Sequence, residues 1–398
     1  MIDLRGHAAR LDATDPLARW REEFVLDPDV VAYLDGNSLG RLPLRTVERL
    51  QTFVRDEWGG RLIRGWSEGW VELPTEVGDE VGRLVGAAAG QTVVGDSTSI
   101  AIAKALHAAV RLRPERDEIV VAAHDFPTDR YLAERVAADT GRTLRTVGLA
   151  DDGTLAMADA LGERTAVVLL SHVDYRSGAL LDLPRLTEQV HDAGALVVWD
   201  LCHSAGVVPI ELDAAGVDLA LGCTYKYLNA GPGAPAFLYA AARLLPDLQQ
   251  PLPGWWSADD LFAMADEYRP APDARRLLSG TPNIGGLLAV REGAAMVAEA
   301  GVEAIRAKSV LLTELVMDLL DAEGLEIVTP RDPAARGSHV TVRLPGARDV
   351  ADRMADRGVL PDFREPDLVR LGLSPLTTSF EEAVAGVEAM LDVVRSTR

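Results

Sequence analysis

Between residues 90 and 245, short unbroken apolar runs alternate with stretches in which apolar residues return every three or four positions. The short runs have the length of strands buried on both faces, and the longer period is that of an amphipathic helix. The pattern predicts helices over 100–113, 129–139 and 183–193, and strands over 118–123, 165–171 and 195–200. Two more short strands are predicted at 219–222 and 236–240. Buried strands separated by helices predict an α/β domain, a mostly parallel sheet covered by helices on both faces.

After a Pro-rich link at 269–276 the texture changes. A helical stretch over 284–322, interrupted near Gly301, is followed by strands over 325–329 and 340–344 and a helix over 349–357. Strands near 359–363 and 368–373 and a last helix over 380–395 complete the pattern of a smaller α+β C-terminal domain. The expected division is an N-terminal segment over 1–50 packing with the small domain, a large domain over 51–275 and a small domain over 276–398.

Charge narrows the partners. The 398 residues include 40 Lys and Arg against 61 Asp and Glu, a formal net charge of −21. Nucleic-acid binding needs a basic surface, so no nucleic acid is expected. The same charge repels anions at long range, so a carboxylate or phosphate ligand needs local donors. The two cysteines, Cys202 and Cys223, supply neither a disulfide framework nor zinc-type pairing, and no metal is expected. The apolar runs are too short to span a bilayer and residues 1–16 lack a signal-peptide core, which predicts a cytoplasmic chain without a membrane partner.

Residues 195–233, ALVVWDLCHSAGVVPIELDAAGVDLALGCTYKYLNAGPG, carry the most chemistry. A buried strand ends in Asp200, at the carboxyl end where α/β sheets bind ligands, and His203 follows in the loop. The next short strand delivers Lys226, between Tyr225 and Tyr227, into a Gly/Pro-rich loop. This is the pair that pyridoxal phosphate requires: a carboxylate to keep the pyridine nitrogen protonated and a lysine to hold the aldehyde as a Schiff base. Singly, a loop lysine is commonly a solvated charge and an aspartate after a strand a helix cap. Ser97 and Thr98, just before a predicted helix, suit phosphate anchoring at a helix N-terminus, or an ordinary cap. Phe126, Thr128 and Asp129 lie between a strand and a helix, where Phe126 could stack on a planar ring or sit in the core. Ser171, ending the next strand, faces the same region.

These motifs resemble kynureninase, a pyridoxal-phosphate family of the aspartate aminotransferase fold (fold type I). The resemblance rests on Leu34-Asp35-Gly36-Asn37-Ser38-Leu39-Gly40, Phe126-Pro127-Thr128-Asp129 and Asp200-Leu201-Cys202-His203. It continues through Tyr225-Lys226-Tyr227-Leu228-Asn229, Gly254-Trp255-Trp256, Ser279-Gly280-Thr281-Pro282, Phe363-Arg364-Glu365-Pro366 and Val369-Arg370. It implies that Lys226 is the Schiff-base lysine and the base for the substrate α-proton, that Asp200 pairs with the pyridine nitrogen and that His203 lies in the cofactor shell. Ser97, Thr98, Phe126, Thr128, Asp129, Ser171 and Tyr225 would line the pyridoxal 5'-phosphate site. Trp255 and Thr281 would reach the phosphate, often the partner subunit's, in a homodimer with shared active sites. Arg370, with Asn37 and Trp256, would bind substrate, Arg370 gripping the α-carboxylate with its bidentate fork. Tyr225 is the candidate proton carrier. The implied reaction is hydrolysis of the Cβ–Cγ bond of L-kynurenine or 3-hydroxykynurenine, giving the aryl acid and L-alanine.

Three positions depart from the family pattern. Trp256-Ser257-Ala258 replaces a segment that commonly brings a histidine, Thr377 stands where a tyrosine is frequent, and Gly59-Gly60 supplies no histidine. They leave open drift among bacterial members or a pocket for a modified kynurenine or other β-keto amino acid. A cysteine desulfurase or an aminotransferase shares the fold, but the former needs a loop cysteine, and both cysteines here read as small buried residues. A cofactor-free binding relative is opposed by the intact Asp200, Lys226 and Arg370 set. Trp58, Trp66 and Trp70 suit either an interface or the core.

Overall fold

The structure is a computed structural model that describes residues 4–148, 155–157 and 160–397. The N-terminal part holds α1 (Leu4–Ala13), strand β1 (Ala32–Tyr33), α2 (Leu44–Thr52), the short α3 (Gly59–Arg61) and α4 (Leu73–Leu84). The large lobe follows: β2 (Thr92–Val94), α5 (Thr98–Arg111), β3 (Glu118–Ala122), α6 (Pro127–Asp139), β4 (Thr143–Val147), β5 (Thr165–Ser171), α7 (Leu183–Asp192), β6 (Leu196–Asp200), β7 (Leu219–Gly222) and β8 (Phe237–Ala240). Its sheet has the order β2-β8-β7-β6-β5-β3-β4. Neighbours from β4 through to β7 are parallel, whereas β8 runs antiparallel to both β7 and β2. The α/β expectation of a mostly parallel sheet holds.

Every residue of β5, β6 and β7 is buried, as continuous apolar runs require. The pattern did not foretell β2 and β4. The first has only three residues, and the second is an edge strand whose sequence, TLRTV, is largely exposed.

The helical stretch breaks where expected, into α8 (Ile284–Ala300) and α9 (Val302–Ala322), with Gly301 between them at φ +84°, a conformation costly for any side chain. Residues Ile284, Leu287, Leu288 and Val290 of α8 join the large lobe's core. A separate apolar cluster gathers Leu312, Val316 and Leu320 of α9 with the C-terminal elements and with Ala8, Ala32 and Leu34. Those elements are β9 (Glu326–Ile327), β10 (His339–Arg343), α10 (Ala347–Ala355), β11 (Val359–Leu360), β12 (Asp362–Arg364), β13 (Leu368–Gly372) and α11 (Phe380–Thr397). An antiparallel sheet forms in the order β12-β13-β10-β9. The single strand expected near 359–363 is two: β11 pairs in parallel with β1, and β12 joins the four-stranded sheet. Pro361 separates them, lacking the N–H a continuous ladder needs.

The chain from Tyr33 to Gly40 ties the lobes together. Gly372 N–H donates to Leu34 O at 2.6 Å, and Gly40 N–H donates to Tyr225 O at 2.8 Å. A Cβ on Gly40 would lie 2.3 Å from Lys226 O and from Asn229 Oδ1, so only glycine allows this approach. Glu382, at the start of α11, accepts from Tyr33 N–H at 2.9 Å and pairs with Arg21 and Arg41. Among the described residues no helix is long and apolar enough to cross a membrane.

Candidate active site

Strands β3, β5 and β6 end side by side, and parallel pairing sets Ser171 opposite Asp200. Their loops form a cavity with the N-terminus of α5, lined by Thr98, Phe126, Thr128, Asp129, Ser171, Asp200, His203, Tyr225 and Lys226. These are nine of the residues expected from sequence, brought together by strand register and not by proximity in the chain. Ser99, Val173, Tyr175 and Cys202 line it as well.

Carboxylates crowd one wall. Cys202 N–H donates to Asp200 Oδ1 at 2.7 Å, and Ser171 Oγ–H donates to Asp129 Oδ2 at 3.2 Å. Asp125 lies behind them, accepting from Ser171 N–H at 3.1 Å and Ala122 N–H at 3.2 Å. Burial pushes the Asp125 carboxyl up to about 7. Burial, then the charges of Asp200 and Asp125, raises Asp129 well above the carboxylate range, so Asp129 holds a proton beside Asp200. Sequence reasoning found Asp129 and missed Asp125, whose role is visible only once β3 and β5 lie in register.

Lys226 Nζ makes no hydrogen bond or ion pair among the described residues and lies 6.0 Å from the Tyr225 ring centroid. Burial raises the Tyr225 hydroxyl, with the neighbouring Cys223 adding to the effect, so it stays protonated. His203 is held neutral by burial and by Lys226 and Arg370, and its ring packs 5.8 Å from that of His339. At α5, the Ser97 side chain makes no capping bond, and Ser97 and Ser99 are exposed. Thr98 and Ser99, the first residues of that helix, line the cavity, so its free N-terminal amides and these hydroxyls offer a cradle for a phosphate. Phe126 is 40% exposed, against the core reading, and its ring meets Tyr175 edge-on at 5.1 Å. A helix-end anion cradle, a strand-end carboxylate, an unengaged lysine and a free aromatic face fit pyridoxal phosphate.

Arg370 stands on β13, fully buried, with its guanidinium almost wholly engaged. Nη1 donates to Tyr175 O at 2.6 Å and Nη2 to Ser38 Oγ at 2.6 Å. The Asn37 amide oxygen accepts from Nε at 3.0 Å, while its NH2 donates to Asp35 at 3.3 Å. Asp362 Oδ2 lies 2.5 Å from Nη2, and Asp35 Oδ1 3.7 Å. Burial pushes the Asp35 carboxyl up to about 6, against the pull of the Ser38 hydroxyl and Arg370. Arg370 is thus a buried hub and not the surface ion pair that is its commonest alternative.

Six expected residues do not line this cavity: Ser97 just precedes α5, Asn37 and Arg370 form the hub beside it, and Trp255, Trp256 and Thr281 lie farther off. Trp255 and Thr281 are on the surface, Trp255 36% exposed. Trp256 is fully buried in the apolar core, edge-on to Trp66 at 5.3 Å and to Trp255 at 4.7 Å, and does not line the cavity. The two tryptophans occupy a 3₁₀ turn with three residues per revolution, so consecutive side chains diverge. Thr377 is buried too, its N–H donating to Ser374 O at 2.9 Å. Of the three upstream tryptophans, Trp58 is 59% exposed while Trp66 and Trp70 pack on each other at 5.2 Å. Both cysteines are buried and free, and the hydrogen bond with Cys223, then burial, raises the Cys202 thiol.

Fold and site together define a pyridoxal-phosphate-dependent enzyme of fold type I, and the family model of aminotransferase class-V matches residues 32–359. Solved structures with this architecture include a cysteine desulfurase from Thermococcus onnurineus NA1, with TM-score 0.84 and 22% identity over 95% of this chain and 98% of that one. Another, from Escherichia coli, has TM-score 0.83 and 20% identity over 96% and 98%. Kynureninases are far nearer in sequence: that of Pseudomonas fluorescens is 42% identical over 98% of this chain and 95% of that protein. The Deinococcus radiodurans kynureninase is 44% identical over 96% and 95%. The chain belongs to the kynureninase family.

Proposed function

We propose that this enzyme hydrolyses the Cβ–Cγ bond of L-kynurenine, using one water to give anthranilate and L-alanine. The observation that carries the reading is full-length kinship with kynureninases in a chain whose cavity unites Asp200, Lys226 and the α5 N-terminus. Pyridoxal phosphate, when bound, supplies an electron sink for the pairs released at Cα and Cβ. The α5 amides with Ser97 and Thr98 hold its phosphate, Asp200 holds its ring N–H, Phe126 covers its face, and Thr128, Ser171 and His203 complete the lining.

Lys226 Nζ, free of partners, takes the α-proton, and the Tyr225 hydroxyl, held protonated, delivers a proton to Cβ. Arg370 grips the α-carboxylate, with Asn37 orienting the guanidinium. Surface-exposed Trp255 and Thr281 reach the phosphate of a second copy, in a cytoplasmic homodimer with shared sites. The buried cysteines oppose a desulfurase, which needs a thiol over the substrate.

The test incubates the cofactor-loaded protein with L-kynurenine and, separately, 3-hydroxykynurenine, and measures aryl acid and alanine. Equimolar release is expected, the faster substrate naming the preference. No release from either, with the cofactor band intact, would overturn the reading.

A further inference from the structure

Four carboxylate and guanidinium groups meet beside the cavity in a balanced set. Asp362 and Arg370 are direct cross-strand partners in the β12–β13 pair. Asp362 Oδ2 touches Arg370 Nη2 at 2.5 Å and Arg364 Nη2 at 2.8 Å, yet that buried oxygen makes no aligned hydrogen bond with either. Charge holds it there, without the directional bonds that fix Ser38 and Tyr175 O on the same guanidinium. Arg364 is incompletely used: its Nε is buried without an acceptor, and its guanidinium lies 5.9 Å from the ring of Tyr175, which lines the cavity. Asp35 is the fourth member, 3.7 Å from Arg370.

A third carboxylate arriving on an amino-acid substrate disturbs this balance. Of the five N–H donors of Arg370, Nε, one on Nη2 and one on Nη1 donate to acceptors, and Asp362 stands against Nη2 out of line with its second N–H. A bidentate grip needs two open donors, and with Asp362 against Nη2 only the second on Nη1 is open, so one acceptor must leave. Asp362 is the one held without alignment, and it has somewhere to go, since Arg364 offers the spare Nε beside the Nη2 it already contacts.

We propose that Asp362 is a built-in stand-in for the substrate α-carboxylate, seated on Arg370 in the free enzyme and handed to Arg364 when substrate takes its place. Arg364 is then a specificity-determining residue, which makes room for the carboxylate by withdrawing the competitor. This rests on Arg370 being the carboxylate grip.

The probes are L-alanine, which carries the α-carboxylate, and ethylamine, its decarboxylated counterpart, each titrated against the absorbance of the bound cofactor. Asp362→Asn removes the competitor and is expected to tighten alanine binding by about 3- to 10-fold while leaving ethylamine unchanged. Arg364→Gln leaves Asp362 on Arg370 and is expected to weaken alanine by a similar factor. In the double variant the Arg364→Gln penalty vanishes, a coupling that a purely structural pair does not give. Weaker alanine binding by Asp362→Asn, with the Arg364→Gln penalty persisting in the double variant, would overturn the exchange. Should Asp362→Asn fail to fold, Arg364→Gln decides alone: selective loss of alanine supports the exchange and unchanged alanine binding overturns it. Arg370→Gln separates the two readings. If it still prefers alanine to ethylamine, the grip itself is misassigned; if that preference disappears while Asp362→Asn weakens alanine, only the exchange fails.

Discussion

The carboxylates in the cavity and the charged set beside it handle negative charge in opposite ways. On the large-lobe side, Asp125, Asp129 and Asp200 stand together, bound by backbone amides and a serine, with burial raising Asp125 and Asp129. On the small-lobe side, Asp35 and Asp362 stand against Arg364 and Arg370. The first arrangement suits a permanent resident: fixed donors and a fixed charge meet a cofactor that stays. The second suits a visitor, because ion pairs can change partners whereas strand-end amide bonds cannot without opening the sheet.

The largest expected effect tests the resident's side. Lys226→Ala is expected to lower turnover by at least ~10³-fold and to remove the cofactor's lysine-linked absorbance band; full activity would dismantle the central assignment. Next is the visitor's side, where Arg370→Gln is expected to lower kcat/KM by roughly 10- to 100-fold, mainly through KM, with the cofactor band intact.

Asp125 sharpens the contrast through pH. Its folded value of about 7 lies above the ordinary 3.8, so between those limits the native state holds a proton that the unfolded chain has lost. Stability of the apo-protein from this group therefore falls as pH rises from about 4 to 7. Asp125→Asn removes that slope, and since one of two N–H donors loses its acceptor it costs about 1–3 kcal/mol. Urea midpoints measured across that range should show the gap between the proteins changing with pH; parallel curves would place no proton on Asp125. Smallest is Trp256→Phe, expected to cost below about 1.5 kcal/mol in stability and to leave KM for kynurenine unchanged. A rise of about tenfold in KM would return Trp256 to the substrate-binding residues.

The resident's side was the legible one. Asp200 and Lys226 announce themselves because a buried strand is an unbroken apolar run whose carboxyl end is where ligands go; Asp200 closes one such run and Lys226 comes shortly after another. The visitor's side was legible only at Arg370 and Asn37, through resemblance. Asp362, Arg364 and Tyr175 owe their places to antiparallel register and to contacts far apart in the chain, such as that of Arg370 with Tyr175 O. Trp256 shows the converse: adjacent to Trp255 in sequence, it faces the core because a tight turn sends the two rings apart.

The Tyr33–Gly40 strap has a consequence for biogenesis. Residues 98–226, which form the resident's side, can pair locally as they leave the ribosome, since synthesis delivers them in order. The strap emerges well before its partners Arg370, Gly372 and Glu382, with 332 positions between Ser38 and Arg370. A nascent chain therefore carries an early segment whose partners are made much later, and the amino-acid subsite forms only once those partners are in place.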